Sequence, residues 1–337
     1  ELDIFNIIYP NNIKIAITGT NGKSTTCQML YNIFKSNNFD TRLVGNIGNS
    51  PLLEKKIKEK TIFIVEASSY QIFYSKYFKA DHSAILNLSP DHLDRHRNIN
   101  EYAKAKLKLI YNQENKKQSY IEKNNKIINK NISINKIKSK INKLNYNKYE
   151  FFKKKIKNIY LLDKNNLNNI HFIYSICKKF KLSDNQIFNS LNKFKGLKYR
   201  KEIIYNKRNL IIINDSKSTS FSSTIGLLSS YKNIYWIVGG MSKKGDNLNF
   251  SKIKKNIVKC YLVGKNINFF KNQIKKKLPY SITKNLKNSI IQILRDIKLK
   301  KNKDNYVLLS PAAASFDQYK NFEERGKEFK KLCKLYG

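Results

Sequence analysis

Thr18-Gly19-Thr20-Asn21-Gly22-Lys23-Ser24-Thr25 follows an apolar, β-branched run at 13–17 and precedes a helix-like run at 27–34. A strand that feeds a Gly-containing loop and then a helix N-terminus forms a cradle for phosphate. Backbone N–H groups and the helix dipole face the anion. Lys23 can reach the terminal phosphates, and the hydroxyl of Ser24 or Thr25 can serve as a Mg²⁺ ligand. The usual Walker A motif places four residues between its first Gly and the Gly-Lys pair. Here position 17 is Ile and the loop is tighter, which narrows the family without weakening the nucleotide reading.

Around this loop the first half of the chain alternates strand-like segments (13–17, 62–65, 84–88) with helix-like ones, among them 102–111. That rhythm predicts a parallel α/β sheet. Ligands then collect at the carboxyl ends of the strands, where Gly19, Glu66 and Asn87 fall. Residues 112–158 are rich in Lys, Asn and Ile with little periodicity and are expected to form short strands and loops. Helical spacing returns at 167–180 and 183–194.

Gly196 is expected to open a second unit, with strands at 210–213, 235–238, 261–263 and 306–309, a helix over 218–230 and a last helix from Phe322 towards Leu335. The fold class expected is α/β: a P-loop-type, mostly parallel central domain over 1–195, then a Rossmann-like α/β domain over 196–337. The second domain lacks the G-x-G-x-x-G fingerprint.

The 337 residues suffice for two cores. Lys and Arg number 66 against 24 Asp and Glu, a formal charge of +42. The excess is mostly Lys, interleaved with Asn and Ile along the whole chain, as AT-rich coding would give. No Arg cluster, aromatic RNA-binding motif or zinc-finger spacing accompanies it, so nucleic acid is not expected as a partner. Cys27, Cys177, Cys260 and Cys333 are far apart, without metal or disulfide spacing, which suits a reduced cytoplasm. No apolar run approaches membrane-spanning length, so a membrane is not expected as a partner either.

Three clusters stand out, two at strand ends and one on a predicted helix. Glu66 ends the run 62–65 and precedes Ala67-Ser68-Ser69-Tyr70-Gln71, where a carboxylate suits a Mg²⁺ beside a nucleotide. Asn87-Leu88-Ser89-Pro90-Asp91-His92-Leu93-Asp94-Arg95-His96 gathers acid, imidazole and guanidinium at the next strand end. Tyr102-Ala103-Lys104-Ala105-Lys106-Leu107 follows on a predicted helix.

In this order, with Gly45-Asn46-Ile47-Gly48, these elements closely resemble the central domain of the Mur ligases of peptidoglycan synthesis. Asn214-Asp215-Ser216-Lys217-Ser218-Thr219 and the long block from Ser310 to Gly326 resemble the family's D-glutamate-adding members. The resemblance covers essentially the whole chain, weakly over 112–158.

The resemblance implies ATP-dependent amide formation between UDP-N-acetylmuramoyl-L-alanine and D-glutamate, by a cytoplasmic monomer. It implies two Mg²⁺ ions. Gly19, Asn21, Gly22, Lys23, Ser24 and Thr25 would hold ATP; Ser24 or Thr25 with Glu66 would hold one ion, and His92 would help hold the other. Lys106 would be carbamylated, turning an ammonium into a carboxylate-like ligand. Lys23, Glu66, His92 and Lys106 are thus the implied catalytic set. Asn166 and Asn169 would lie on the adenine side, and Arg200 and Asp215 would reach ATP from the second domain. Asn46, Ser68 and Gln71 would face the muramoyl substrate. Lys217, Thr219, Lys243, Ser315 and Phe322 would form the D-glutamate pocket, with the second domain closing over the first during turnover.

Asp163 and Asn165 replace the family's Gly and His before the adenine-side Asn, Ser220 replaces an Asn, and Lys244 adjoins Lys243. Glu1-Leu2-Asp3-Ile4-Phe5 resembles the linker after the family's N-terminal UDP-binding domain. The chain is therefore expected to lack most or all of that domain, by excision or natural shortening, and to bind Mg-ATP while gripping the nucleotide-sugar poorly. Two rival readings make separate forecasts. A folate-polyglutamylating relative is opposed by the 310–326 block. A basic P-loop ATPase predicts salt-sensitive stimulation by DNA or RNA.

Overall fold

In the computed structural model the chain divides into two compact units, Glu1–Lys195 and Gly196–Gly337. It describes every residue except 91–92, 208, 243–245, 248, 252, 300–303 and 337, and every side chain except those and 93, 94 and 159. His92, Lys243 and Lys244 therefore lie outside the described residues.

The first unit runs α1 (Leu2–Ile8), β1 (Lys14–Thr18), α2 (Lys23–Ser36), β2 (Thr41–Gly45), β3 (Ile62–Glu66), α3 (Ser69–Tyr74), β4 (His82–Ile85), α4 (Leu93–His96) and α5 (Ile99–Tyr111). It continues with β5 (Gln118–Glu122), α6 (Lys126–Asn131), β6 (Lys140–Leu144), α7 (Tyr149–Lys155), α8 (Lys164–Lys179) and α9 (Asp184–Asn192). Its sheet has the order β2-β3-β1-β4-β5-β6, parallel throughout.

β1 and β3 are buried at every position, as expected of strands covered on both faces. Alternation decides which face each side chain serves. Ile15, Ile17, Ile62 and Ile64 pack with Leu30, Ile33 and Ile173 of α2 and α8. Ala16, Phe63 and Val65 pack with Leu2 and Phe5 of α1 and Ile72 of α3. The strand expected at 84–88 begins earlier, at His82, and the helix expected at 102–111 begins at Ile99, where Asn98 accepts from the amides of Asn100 and Glu101. β2, unread in the sequence, lies at one sheet edge.

Two groups fasten α1. The Asp3 carboxylate accepts from Ser75 Oγ at 2.5 Å and from the amides of Lys76, Tyr77 and Phe78 at 2.8, 2.9 and 2.9 Å. Lys14 Nζ, buried, donates to the carbonyls of Tyr9 and Asn12 at 2.5 and 3.1 Å. Burial lowers this ammonium to about 8.

The second unit comprises β7 (Glu202–Lys207), β8 (Leu210–Asn214), α10 (Phe221–Ser230), β9 (Ile234–Gly239), β10 (Ile257–Val263), α11 (Ile267–Ile274), β11 (Tyr280–Lys284), α12 (Leu286–Leu299), β12 (Asn305–Leu309) and α13 (Phe322–Tyr336). Its order is β11-β10-β9-β12-β8-β7, with only the β7–β8 pair antiparallel among the described residues' strand pairs. Trp236, Val238 and Leu308 face Phe221, Leu227 and Phe270 of α10 and α11. Tyr235, Ile237 and Leu309 face Ile290 of α12 and Phe329 of α13. This is the α/β class expected, with the antiparallel β7 edge as an addition.

Candidate active site

The loop after β1 is shaped by two glycines and one strand-end amide. Gly19 has φ of +150°, and a Cβ there would stand 3.2 Å from Leu86 Cβ. Gly22, the N-cap of α2, has φ of +87° and brings no side chain to cap the helix. The first turn thus presents its amides to an anion rather than to its own cap. Asn87, just beyond β4, grips the loop in both directions. Its Oδ1 accepts from the Asn21 amide at 2.9 Å and its Nδ2 donates to the Asn21 carbonyl at 3.0 Å. The Thr20 amide donates to the Asn87 carbonyl at 3.0 Å. Lys23 Nζ donates to the Gly19 and Thr20 carbonyls at 2.9 and 2.8 Å, so the ammonium lies folded over the cradle. Ser24 and Thr25 are buried at the start of α2.

Glu66 ends β3 beside β1, in register with Ile17. Its side chain is buried; Oε1 accepts from Asn46 Nδ2 at 2.9 Å, while buried Oε2 has no hydrogen-bond partner among the described residues. A buried carboxylate oxygen left unpaired is costly. A divalent cation would satisfy it, so the residue fits the role of metal ligand. Gly45 (φ +101°) lets the end of β2 pass close to the end of β3, since a Cβ there would stand 2.4 Å from the Glu66 backbone carbonyl. Among the described residues no group of three acidic, His or Cys side chains converges.

Lys106 lies on the buried face of α5, 1 % exposed. Its Nζ donates to Thr18 Oγ1 at 3.1 Å, one residue before the loop, and sits 4.8 Å from the centroid of the Tyr102 ring. The Tyr102 hydroxyl is 3.3 Å from Thr20 Oγ1. The loop, Glu66 and Lys106 therefore gather at the carboxyl end of β1.

Asn169 on α8 approaches the loop closely: a Cβ on Gly22 would meet its Oδ1 at 2.6 Å. Asn166 is engaged locally, with Nδ2 donating to the Tyr160 carbonyl at 2.8 Å and to Asp163 Oδ2 at 2.6 Å. Asp163, found where the sequence departs from the usual Gly, caps α8 through the amides of Asn165 and Asn166. Ser68 and Gln71 form a reciprocal capping box on α3, which keeps Ser68 Oγ and Gln71 Oε1 occupied with each other at 2.9 Å.

In the second unit, Asp215 follows β8 and is buried. It accepts from Ser310 Oγ at 2.9 Å and from the Lys201 amide at 3.1 Å. Burial pushes its carboxyl from 3.8 up to about 6, against the pull of those donors and of Lys201 and Arg200. Between those two values the folded chain holds the extra proton, so stability falls as pH rises through the window. Asp215→Asn is expected to abolish that slope in urea titrations from pH 4 to 7. At pH 8 it should gain roughly 2–3 kcal/mol of stability at most. An unchanged slope would assign the proton elsewhere.

Lys217 Nζ lies 4.7 Å from the Phe322 ring centroid, Thr219 is half-buried, and Ser315 is buried in the turn after β12. Asn87, Tyr102 and Arg325 have structural positions at these sites that the sequence reading did not assign. Asn87 carried one signal, a polar amide at a strand end; Arg325 carried only its place in the 310–326 block.

A family profile described as "Mur ligase middle domain" matches residues 17–187. The chain is 33 % identical, over 96 % of its length and 76 % of the relative's, to "UDP-N-acetylmuramoylalanine--D-glutamate ligase" of Pseudothermotoga lettingae. The chain belongs to the Mur ligase family. The relative of the same description from Rickettsia prowazekii is 33 % identical over 100 % of this chain and 79 % of its own. Solved Mur ligases share the fold: MurF of Acinetobacter baumannii has a TM-score of 0.72 at 14 % identity, over 98 % of this chain and 79 % of its own. MurF of Thermotoga maritima, solved in complex with ADP, has a TM-score of 0.69 at 15 % identity, over 100 % and 83 %. No described helix of this Mur ligase is long and apolar enough to cross a membrane.

Proposed function

We propose that this Mur ligase joins D-glutamate to the L-alanyl carboxylate of UDP-N-acetylmuramoyl-L-alanine at the expense of ATP, as a cytoplasmic monomer. The observation that carries the reading is the convergence on the end of β1 of the Lys23 loop, the unpaired Glu66 oxygen and buried Lys106. The shared description of the relatives, at about a third identity over nearly the whole chain, supplies the substrate pair.

In this reading the alanyl carboxylate oxygen attacks the γ-phosphorus, the bond to the β-phosphate oxygen breaks, and ADP leaves. The amine of D-glutamate then attacks the acyl carbon, the carbon–oxygen bond to phosphate breaks, and phosphate departs while the amine loses its proton to solvent. Activation is required because a carboxylate is a poor acyl donor at neutral pH. Lys23 exchanges the Gly19 and Thr20 carbonyls for the β- and γ-phosphates, and the open first turn of α2 takes the remaining charge. Gly19, Asn21 and Gly22 shape that cradle, and Asn169 flanks it with Asn166 on the adenine side.

Glu66, Ser24 or Thr25, His92 and a carbamate on Lys106 would hold two Mg²⁺ ions, which supply charge neutralisation for the phosphates. The carbamate would form when the neutral Lys106 amine adds to carbon dioxide with loss of a proton. Asn46 orients Glu66 and, with Ser68 and Gln71, is assigned to the muramoyl side. Arg200 and Asp215 are assigned to ATP. Lys217, Thr219, Lys243, Ser315 and Phe322 are assigned to D-glutamate, with a lysine charge for its carboxylate.

A phosphate-release assay with each reactant omitted in turn tests this. Release is expected only when ATP, Mg²⁺, UDP-N-acetylmuramoyl-L-alanine and D-glutamate are all present. Release driven by a folate with L-glutamate, or by DNA or RNA, would overturn it.

A further inference from the structure

Arg325 sits in the first turn of α13 and is 2 % exposed. Its guanidinium reaches back under the strand ends of the second sheet. Nε donates to Ser216 Oγ at 3.0 Å, and Nη2 donates to the carbonyls of Ser216 and Ala313 at 2.7 and 2.9 Å. Ser216 Oγ in turn donates to the Phe322 carbonyl at 2.8 Å. One planar cation thus ties the loop after β8, the turn after β12 and the start of α13.

The turn it holds is strained. Ala312 has φ of +54°, unusual for a residue with a side chain, and such a conformation persists only where its surroundings impose it. Ala314 is paired with Met241 in both directions, at 2.8 and 3.0 Å. Gly240 lies so close that a Cβ would stand 2.4 Å from the Ala314 carbonyl and 3.3 Å from Arg325 Nη1. Among the described residues Nη1 itself finds no hydrogen-bond partner, though it is buried. A hydrogen-bonded guanidinium serving stability alone would not leave a donor in that state, since an unpaired buried polar group is costly.

We propose that Arg325 is the positioning residue of the amino-acid pocket, fixing Lys217, Ser315 and Phe322 relative to one another through Ser216 and Ala313. This rests on the D-glutamate reading above. Its planar fork reaches two loops in set directions, which the single ammonium of Lys cannot reproduce.

Arg325→Lys is expected to raise KM for D-glutamate at least tenfold while KM for ATP stays within twofold. Amide hydrogen exchange at 216–219 and 312–322 is expected to accelerate at least tenfold, with β9 and β10 as slow as in the parent chain. Ser216→Ala, a milder change that removes the acceptor of Nε, is expected to move the same two readouts by a smaller factor, and it decides the matter if the Lys variant does not fold. Unchanged exchange in these segments, or exchange raised equally in β9 and β10, overturns the proposal. If the parent chain shows no D-glutamate-dependent release, the functional reading fails by itself, and local exchange still decides whether Arg325 orders these loops.

Discussion

Lys106→Ala is expected to lower D-glutamate-dependent phosphate release by about 10³-fold, the scale seen when one preorganised charge partner is removed from a reacting phosphate or acyl group. The variant should still fold. Among what it loses in the ground state are a bond to Thr18 Oγ1 at 3.1 Å and a contact with the Tyr102 ring, about 1 kcal/mol for that bond. The substitution leaves a hollow beneath the end of β1, bounded by those two side chains. If the working group is a carbamate on Lys106, a short carboxylate diffusing into that hollow replaces its oxygens. Millimolar acetate or formate should then restore a measurable part of the rate, whereas Lys106→Arg should not respond. Turnover at the parent rate in Lys106→Ala, or a dead variant that binds ATP yet ignores every added carboxylate, would remove Lys106 from the chemistry.

For Gly22→Ala we expect ATP affinity to fall by up to about 100-fold where the loop relaxes out of its cradle shape and nucleotide must restore it, while any strain the free chain keeps lowers the melting temperature by a few degrees. Two costs add at this one position. The residue has φ of +87° and ψ of −11°, a left-handed conformation that costs an alanine roughly 1–2 kcal/mol. The new methyl group would also stand 2.6 Å from Asn169 Oδ1 and 2.8 Å from its Nδ2, so Asn169 must turn away from the loop. Together these approach the 2.7 kcal/mol of a hundredfold change. Pairing the variant with Asn169→Ala separates them. The double variant recovers affinity where crowding dominates and stays weak where the backbone does. Calorimetric titration with a non-hydrolysable ATP analogue measures both, and parent-like affinity in Gly22→Ala would show that the cradle tolerates a side chain there.

The central strands could be read because both of their faces are covered. Residues 62–65 form an unbroken apolar run, and such runs announce themselves without any pattern of alternation. β6 shows the opposite case. Lys-Ile-Asn-Lys-Leu at 140–144 forms an edge strand whose Ile141 and Leu144 are only half-buried, so little in its composition separates it from a solvated loop. The 112–158 stretch, expected as short strands and loops, carries β5 and β6 and also α6 and α7. α6 is nucleated by Asn125 accepting from the Ile128 amide, and Ile128 is its one buried residue. A helix of that size leaves too few apolar positions to register as a period.

As candidates, Gly22, Lys23 and Glu66 could be picked out in the sequence because local chemistry marks them: a loop glycine, a cation at a helix start, an acid closing a strand. The lock made by Asn87 depends on β4 lying next to β1 in the sheet, and pairing between strands is a tertiary fact. The same holds for Lys106 and Thr18, 88 positions apart in sequence. In a chain so rich in lysine, composition does not mark Lys106; the family resemblance names it, and burial sets it and Lys14 apart among the described lysines.

The reciprocal grip of Asn87 on Asn21 has a thermodynamic corollary. Because the turn surrenders its disorder once, when the sheet assembles, an arriving triphosphate need not freeze it again. Association should therefore be quick and carry little penalty from chain ordering. Loosening that amide clasp would pass the ordering cost to the ligand, so nucleotide binding would become both slower and more exothermic without losing a single direct contact.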